Sequence, residues 1–317
     1  MKRYYFGIDV GGTKIAYGLF NEKNEIIDRH RVPSDKSLPG PLFFDSIASD
    51  IGMMLQRNSL TAADLSGIGI GMPSYILFDE GKILMTTNLT RIKDFAARDY
   101  LAGKLGVRVV IDNDSHTGAI AEHRFGAGRG FKHMIYCPVS TGTSAGIIIN
   151  DHIFRGSYGF SGEAGHMLIT PDEGVLCGCE NKGCFMSHTS GSMIVRHIRQ
   201  RIIAGDQTIM VELAGAPEKI TAKHIEDAAK MGDALACWAI DHMAKYLAVW
   251  VYNMYSLLNI NCFVFGGGLT KFGGMLFDPI RSYFDSYNHN DMPVYFKFAE
   301  LGDDFGIIGA AQLLFED

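Results

Sequence analysis

What the chain lacks excludes most alternatives. Its start, Met1 to Asp9, contains no apolar run of the secretory kind, so nothing there reads as a signal peptide. The longest apolar stretch, near Tyr246 to Leu258, is interrupted by Asn253 and Ser256, too short and too polar to span a bilayer. These two absences predict a soluble, cytoplasmic protein with no membrane partner. The formal net charge is -6 and no basic run is interleaved with aromatics, which argues against a nucleic-acid partner. The six cysteines give no disulfide framework: Cys137, Cys237 and Cys262 are isolated in apolar surroundings, while Cys177, Cys179 and Cys184 crowd one loop. Neither G-x-x-x-x-G-K-[ST] nor G-x-G-x-x-G occurs, so a nucleotide site here belongs to another architecture.

What is present is an ordinary globular composition, 47% hydrophobic and 20% charged, over 317 residues. A chain of that length exceeds the usual size of one hydrophobic core, and two domains are expected. Its 37 glycines cluster, as they do where backbone must approach a ligand. Tyr4 to Asp9 reads as a strand ending in Gly11-Gly12, followed by strands from Ile15 and Glu25. Leu42, Phe43, Ile47, Ile51, Met54 and Leu55 recur at helical spacing. Further strands are expected at Gly67 to Met72 and Val107 to Ile111, with a helix from Phe95 to Leu105 before the latter. The second half repeats the opening plan: strand at Met134 to Val139, turn at Ser140 to Gly142, strand at Ala145 to Ile149, turn, strand. Internal duplication and chance likeness of two hairpins both fit. Asp233 to Asn259 reads as one long helix, Ile260 to Phe265 as a strand, and Phe305 to Phe315 as an apolar helix in which Gly309 permits close packing.

Three glycine-bearing turns follow strands. In Asp9-Val10-Gly11-Gly12-Thr13-Lys14, backbone N–H groups can point at an anion and Thr13 adds a hydroxyl, while Asp9 is placed for the magnesium of a nucleotide. An ordinary hairpin turn is the competing reading. Ser140-Thr141-Gly142 supplies a second such loop, and Gly266-Gly267-Gly268 suits a flat purine against bare backbone. Asp112-Asn113-Asp114 ends a strand and opens a helix, where α/β folds collect ligands. A helix cap and a general base fit the local sequence equally. His166 with Cys177, Cys179 and Cys184 offers three thiolates and one imidazole, a closed tetrahedral shell for structural zinc.

Together these residues resemble the ROK family of sugar kinases and sugar-responsive repressors, over essentially the whole chain. The likeness rests on the opening Asp9 to Lys14 motif, Gly71-Met72-Pro73, Thr87-Asn88-Leu89, Asn113-Asp114, Ser140-Thr141-Gly142, Glu163-Ala164-Gly165-His166, the cysteine spacing and Leu301-Gly302-Asp303-Asp304. It implies an α/β fold of two actin-like (ribonuclease H-like) ATPase domains with an interdomain cleft. The first would be residues 1–118, with helix 305–317 packed back on it, and the second residues 119–304. It implies phosphoryl transfer from ATP to a hexose hydroxyl, expected to be O6, with Asp114 as general base. By the same likeness Asn88, Asn113, Glu163 and His166 contact sugar, and His166, Cys177, Cys179 and Cys184 hold zinc. Asp9, Gly11, Gly12, Thr13, Lys14, Thr141, Gly142, Gly266, Gly267 and Gly268 serve ATP and Mg2+. A homodimer or homotetramer is expected.

The departures from the family pattern are specific. Ser140 and Ser144 stand where glycines are usual, Ser74 replaces a glycine in a sugar loop, and His116 replaces an asparagine just past the base. Glu180 replaces a glycine on the surface of the zinc loop. Met186 stands where the family places a glutamate that binds sugar hydroxyls, so glucose is expected not to be the preferred sugar among glucose, allose, mannose and N-acetylmannosamine. A non-catalytic sugar-binding or regulatory protein is the rival reading. Repressors of the family carry an N-terminal helix-turn-helix, for which the eight residues before Asp9 leave no room.

Overall fold

The computed structural model describes residues 3–140, 142–171 and 174–316. Along the chain run β1 (Tyr4–Val10), β2 (Lys14–Phe20), β3 (Ile26–Pro33), α1 (Gly40–Arg57), β4 (Leu65–Met72), β5 (Ser74–Leu77), β6 (Lys82–Thr86), β7 (Lys93–Phe95), α2 (Ala97–Leu105), β8 (Val109–Asn113) and α3 (Asp114–Phe125). There follow β9 (Met134–Pro138), β10 (Gly146–Ile149), β11 (His152–Ile153), α4 (Phe185–Thr189), α5 (Gly191–Ile203), α6 (Met210–Ala214), α7 (Ala222–Lys230) and α8 (Ala234–Leu258). The chain closes with β12 (Cys262–Gly266), α9 (Gly274–Tyr287), β13 (Tyr295–Phe298) and α10 (Phe305–Gln312). Among the described residues no helix is long and apolar enough to cross a membrane.

The chain divides into two compact units, one within residues 1–134, 146–162 and 299–317, the other within 135–145 and 163–298. In the first, the strands lie in the order β3-β2-β1-β4-β8. β1 and β2 form a hairpin about Gly11 to Thr13, while β1, β4 and β8 run parallel. The apolar runs of β1 and β4 are buried on both faces, as a central parallel pair requires. Phe43, Phe44, Ile47, Ile51 and Met54 of α1 recur at three- and four-residue intervals and fill the core of this unit. In the second unit β9, β12 and β13 run parallel. The local plan of the opening recurs later in the chain: β10 pairs antiparallel with β11, both within the first unit, as β2 does with β3, and β12 pairs parallel with β9 as β4 does with β1. Duplication explains this repeat of pairing better than chance.

One contact in the first unit is made by backbone on backbone. A Cβ on Gly69 of β4 would lie 1.8 Å from the Ala310 carbonyl oxygen of α10, and one on Gly309 of α10 would lie 1.9 Å from the Thr117 carbonyl oxygen of α3. The tail helix is thereby pressed between β4 and α3, the helix that begins at Asp114. Both neighbours are backbone and have no rotamer by which to yield. We expect Gly69→Ala to lower the urea midpoint by an amount equivalent to ~1–3 kcal/mol or more. Gly52→Ala on α1, where the added methyl meets nothing within 4 Å, should raise it by ~0.5–1 kcal/mol. Equal responses of the two variants would contradict the packing account.

Candidate active site

In the first unit three parallel strands end together. Asp9 of β1 lies in register with Gly71 of β4, and Gly71 with Asp112 of β8. Just beyond, β8 passes into α3 through Asn113, whose side chain accepts from the Ser115 N–H at 2.8 Å. Asn113 is therefore the cap, and Asp114 occupies the first helical position. The choice left open in the sequence resolves in part: Asp114 is not needed as the cap. The Asn113 amide also donates to the Ser74 carbonyl at 3.2 Å, tying the strand end to β5.

Asp9 and Asp114 share one electrostatic field. Burial first and the Asp114 charge second raise the Asp9 carboxyl, against the pull of Lys14 and Arg31, to about 6. Two carboxylates so placed favour a cation or a donated proton between them. The turn after Asp9 is tightened by Gly11 N–H to the Lys14 carbonyl at 2.8 Å and by Ser34 Oγ to the Gly11 carbonyl at 2.6 Å. Thr13 and Lys14 are exposed there. A Cβ on Gly12 would lie 2.9 Å from the Asn88 side chain, so the turn between β1 and β2 and the Asn88 loop meet within this unit.

Asp112 carries out a task that its place in Asp-Asn-Asp did not disclose. It is buried and accepts from His116 Nδ1 at 2.8 Å and from Arg155 Nε at 2.8 Å. The second ring nitrogen of His116 lies 3.0 Å from the Ser161 carbonyl oxygen. With acceptors on both sides, His116 is a buried imidazolium. Burial opposes that charge, but the Asp112 carboxylate more than offsets it and raises the His116 pKa; His116 and Arg155 likewise outweigh burial and lower that of Asp112. The i, i+4 spacing of Asp112 and His116 across a helix start was the available signal. Arg155, distant in sequence, had none.

The second unit brings the other motifs together. The Ser140 N–H donates to the Gly142 carbonyl at 2.9 Å, and Leu269 N–H to the Val139 carbonyl at 3.1 Å. Gly267 has φ 84°, and a Cβ there would lie 2.5 Å from the Val139 carbonyl oxygen. The turn after β9 and the Gly266 to Gly268 turn after β12 are thus packed side by side. Thr141 lies outside the described residues. A Cβ on Gly142 would lie 3.7 Å from Met186 Cε, and one on Gly165 would lie 3.3 Å from Met186 Cβ. Met186 therefore stands between the second turn and the Glu163 to His166 segment.

His166 turns Nδ1 toward Cys177 Sγ, 3.7 Å away, and Nε2 toward Glu163 Oε2, 3.9 Å away. Cys179 and Cys184 have sulfurs 3.5 Å apart, all three cysteines are free, and the four ligand atoms lie within 4.8 Å of one another. Tetrahedral zinc with Zn–S of ~2.3 Å and Zn–N of ~2.0–2.1 Å needs ligand separations of roughly 3.3–3.8 Å, so the residues fit that ion. Gly183, at φ 76°, lets the last cysteine approach, because a Cβ there would lie 1.8 Å from the Thr170 carbonyl oxygen. Phe185 then anchors the loop by stacking on Trp250 of α8 at 5.3 Å. Glu180 is exposed, as the sequence suggested, yet its φ of 70° is one that glycine adopts without strain.

A profile of the ROK family matches residues 5–317. The chain belongs to the ROK family. It is 33% identical over 314 residues to a glucokinase of Halalkalibacterium halodurans, covering 98% of this chain and 95% of the relative. A ROK family glucokinase from Streptomyces griseus, solved in complex with glucose and AMPPNP, superposes with a TM-score of 0.79 at 30% identity, covering 98% of each chain. A xylose repressor of Caldicellulosiruptor bescii is 30% identical over 279 residues, 87% of this chain and 68% of the repressor. The fold of this ROK chain is accordingly the α/β actin-like ATPase fold expected from its motifs.

The buried triad generates a test of its own. A raised His116 pKa contributes stability that is fully present below its unfolded value and is lost as pH rises through its folded value. The lowered Asp112 pKa contributes stability present above the unfolded carboxylate value and lost as pH falls through the folded one. We expect His116→Gln to cost ~1.5–3 kcal/mol near neutral pH, the range for hydrogen bonds to charged groups. The gap from the native protein should narrow as pH rises, in urea unfolding followed from pH 6 to 9. A gap independent of pH would mean that His116 is neutral.

Proposed function

We propose that this chain transfers the γ-phosphoryl group of ATP to a hexose hydroxyl, O6, with Asp114 as general base. The observation that carries the reading is the placement of Asp114: at the end of a parallel strand, relieved of capping by Asn113, in the field of Asp9. The Asp114 carboxylate accepts the hydroxyl proton as the new P–O bond forms and the bond to the ADP oxygen breaks. In a loose transition state that proton leaves late, so a carboxylate is basic enough. Magnesium, when bound with the nucleotide, neutralises charge on the β- and γ-phosphates. The raised pKa of Asp9, due to burial and the Asp114 charge, marks a carboxylate that a cation would stabilise. Gly11 to Lys14, Ser140 to Gly142 and Gly266 to Gly268 hold the nucleotide, while Asn88, Asn113, Glu163 and His166 orient the sugar.

In this reading His166, Cys177, Cys179 and Cys184 hold a structural zinc ion, which cross-links the loop and leaves no position open for chemistry. Zinc on Nδ1 of His166 would fix the tautomer that carries its proton on Nε2, toward Glu163. The reading is tested by incubating the protein with ATP, magnesium and single hexoses while following ADP and the sugar phosphate. Sugar-dependent ADP release with sugar phosphate formed in equal amount is expected. Sugar binding without ADP release would favour a regulatory protein. Asp114→Asn keeps the shape and should lower turnover by at least ~10²-fold with sugar affinity changed far less. Near-normal turnover in that variant would remove Asp114 from the chemistry.

Met186 sets the sugar preference in this account. A carboxylate accepts from two hydroxyls at once, whereas a thioether is a weak acceptor, and a lost charge-assisted hydrogen bond costs ~1.5–3 kcal/mol. Glucose should therefore trail a sugar that places another group against Met186, such as allose, mannose or N-acetylmannosamine. Met186→Glu should raise kcat/KM for glucose by roughly 10- to 100-fold relative to those sugars. Glucose leading in the native protein, or an unchanged order in the variant, would overturn this.

A further inference from the structure

Three histidines of the second unit stand apart from the cysteine cluster, and the phosphotransfer reading makes no use of them. His188 of α4, His197 of α5 and His242 of α8 each bring one ring nitrogen to within 4.8 Å of the other two. We propose that they form a second metal site, taking a divalent transition ion of the zinc class and clamping the three helices together.

The three rings are held with their nitrogens in defined roles. His197 Nε2 lies 3.0 Å from the Ser187 carbonyl oxygen. A carbonyl only accepts, so this nitrogen carries the proton and Nδ1 keeps its lone pair. His188 Nε2 lies 2.7 Å from Thr170 Oγ1, and its Nδ1 lies 3.1 Å from His242 Nε2. Metal-bound imidazoles have this character: the outer nitrogen is anchored on an oxygen, which leaves the inner one to the ion. The 3.1 Å separation is near the roughly 3.3 Å edge of a tetrahedron with Zn–N bonds of ~2.0–2.1 Å. A hydrogen bond from His242 to His188 explains that one distance, but not why a third imidazole joins the pair.

The surroundings are aromatic and partly buried, with His188 buried and His197 and His242 half-buried. Tyr246 stacks on His188 with ring centroids 4.0 Å apart, and Trp238 lies 5.0 Å from His242. Burial lowers the pKa of all three histidines, so they are neutral at pH 7, the form that binds a metal. Three neutral nitrogens suit zinc, nickel or copper and not magnesium or calcium, which take oxygen ligands. Arg201 and Lys245 place positive charge near His242 and oppose a cation, although Arg201 is itself paired with Asp206 at 2.5 Å. Three protein ligands leave a fourth position open. The site touches the cysteine loop: a Cβ on Gly174 would lie 3.3 Å from His188 Cε1 and 3.8 Å from His197 Cε1. Filling it therefore stiffens the segment that carries Cys177, Cys179 and Cys184.

The test is metal content of the full chain after saturation with Zn2+ alone and removal of unbound ion. The expected signature is one fewer zinc per chain in His242→Gln and in His197→Gln than in the native protein. That difference holds whether or not the cysteine cluster is occupied, so it separates this site from the zinc reading above. Equal zinc in native protein and folded variants would overturn the proposal. Zinc-edge X-ray absorption of the native protein covers the case in which the variants fail to fold. Raising zinc from one equivalent to saturation should roughly halve the sulfur count per zinc, as a site of nitrogen ligands joins one of thiolates. A saturated protein whose zinc is all sulfur-bound, with no population ligated by nitrogen without sulfur, would equally overturn it.

Discussion

The first unit depends on the field shared by Asp9 and Asp114. Both lie at the carboxyl ends of parallel strands, a position dictated by the register that aligns Asp9 with Gly71 and Gly71 with Asp112. Burial first and the neighbouring Asp114 charge second disfavour a charged Asp9, whose carboxyl is pushed up to about 6. Packing keeps them in place. α10 lies between β4 and α3 on bare glycine backbone, and a Cβ on Gly306 at its start would lie 2.4 Å from the Asp9 carboxyl carbon. The Asp112–His116–Arg155 triad holds the start of α3 to the backbone at Ser161. A strained pair of carboxylates is thus built into an over-determined frame, as expected where stability is given up for function.

The second unit contributes backbone turns and a cross-linked loop. Its two glycine-bearing turns are made adjacent by the parallel pairing of β9 with β12. Its Glu163 to His166 segment is tied to the cysteines through the two faces of one imidazole, Nδ1 toward sulfur and Nε2 toward Glu163. Any change in the thiolate cluster therefore reaches a side chain proposed to touch sugar. Met186 lies against both the turn and that segment, where the proposed function places it against the sugar.

Much of this was legible before any coordinates, because it rests on local chemistry. The opening hairpin, the long α8 helix, the glycine turns and the cysteine spacing each follow from neighbours in sequence. The strand boundaries moved by a few residues, as where β8 runs on to Asn113 and makes it the cap of α3. The small sheet of β5, β6 and β7 escaped notice because its strands are short and half exposed. Arg155 on Asp112 and the meeting of His188, His197 and His242 were beyond reach, since those contacts join residues far apart in the chain. Glu180 is a different kind of miss: its surface position was legible, but a left-handed φ is a property of the closed loop.

The most direct measurement is a carboxyl-carbon NMR titration of Asp9 in the native protein and in Asp114→Asn, without nucleotide. The account requires an Asp9 pKa near 6 in the native protein and a clear fall once the Asp114 charge is removed. An Asp9 that titrates near its ordinary value of 3.8, or one that ignores the loss of Asp114, would show that the two carboxylates do not share a site.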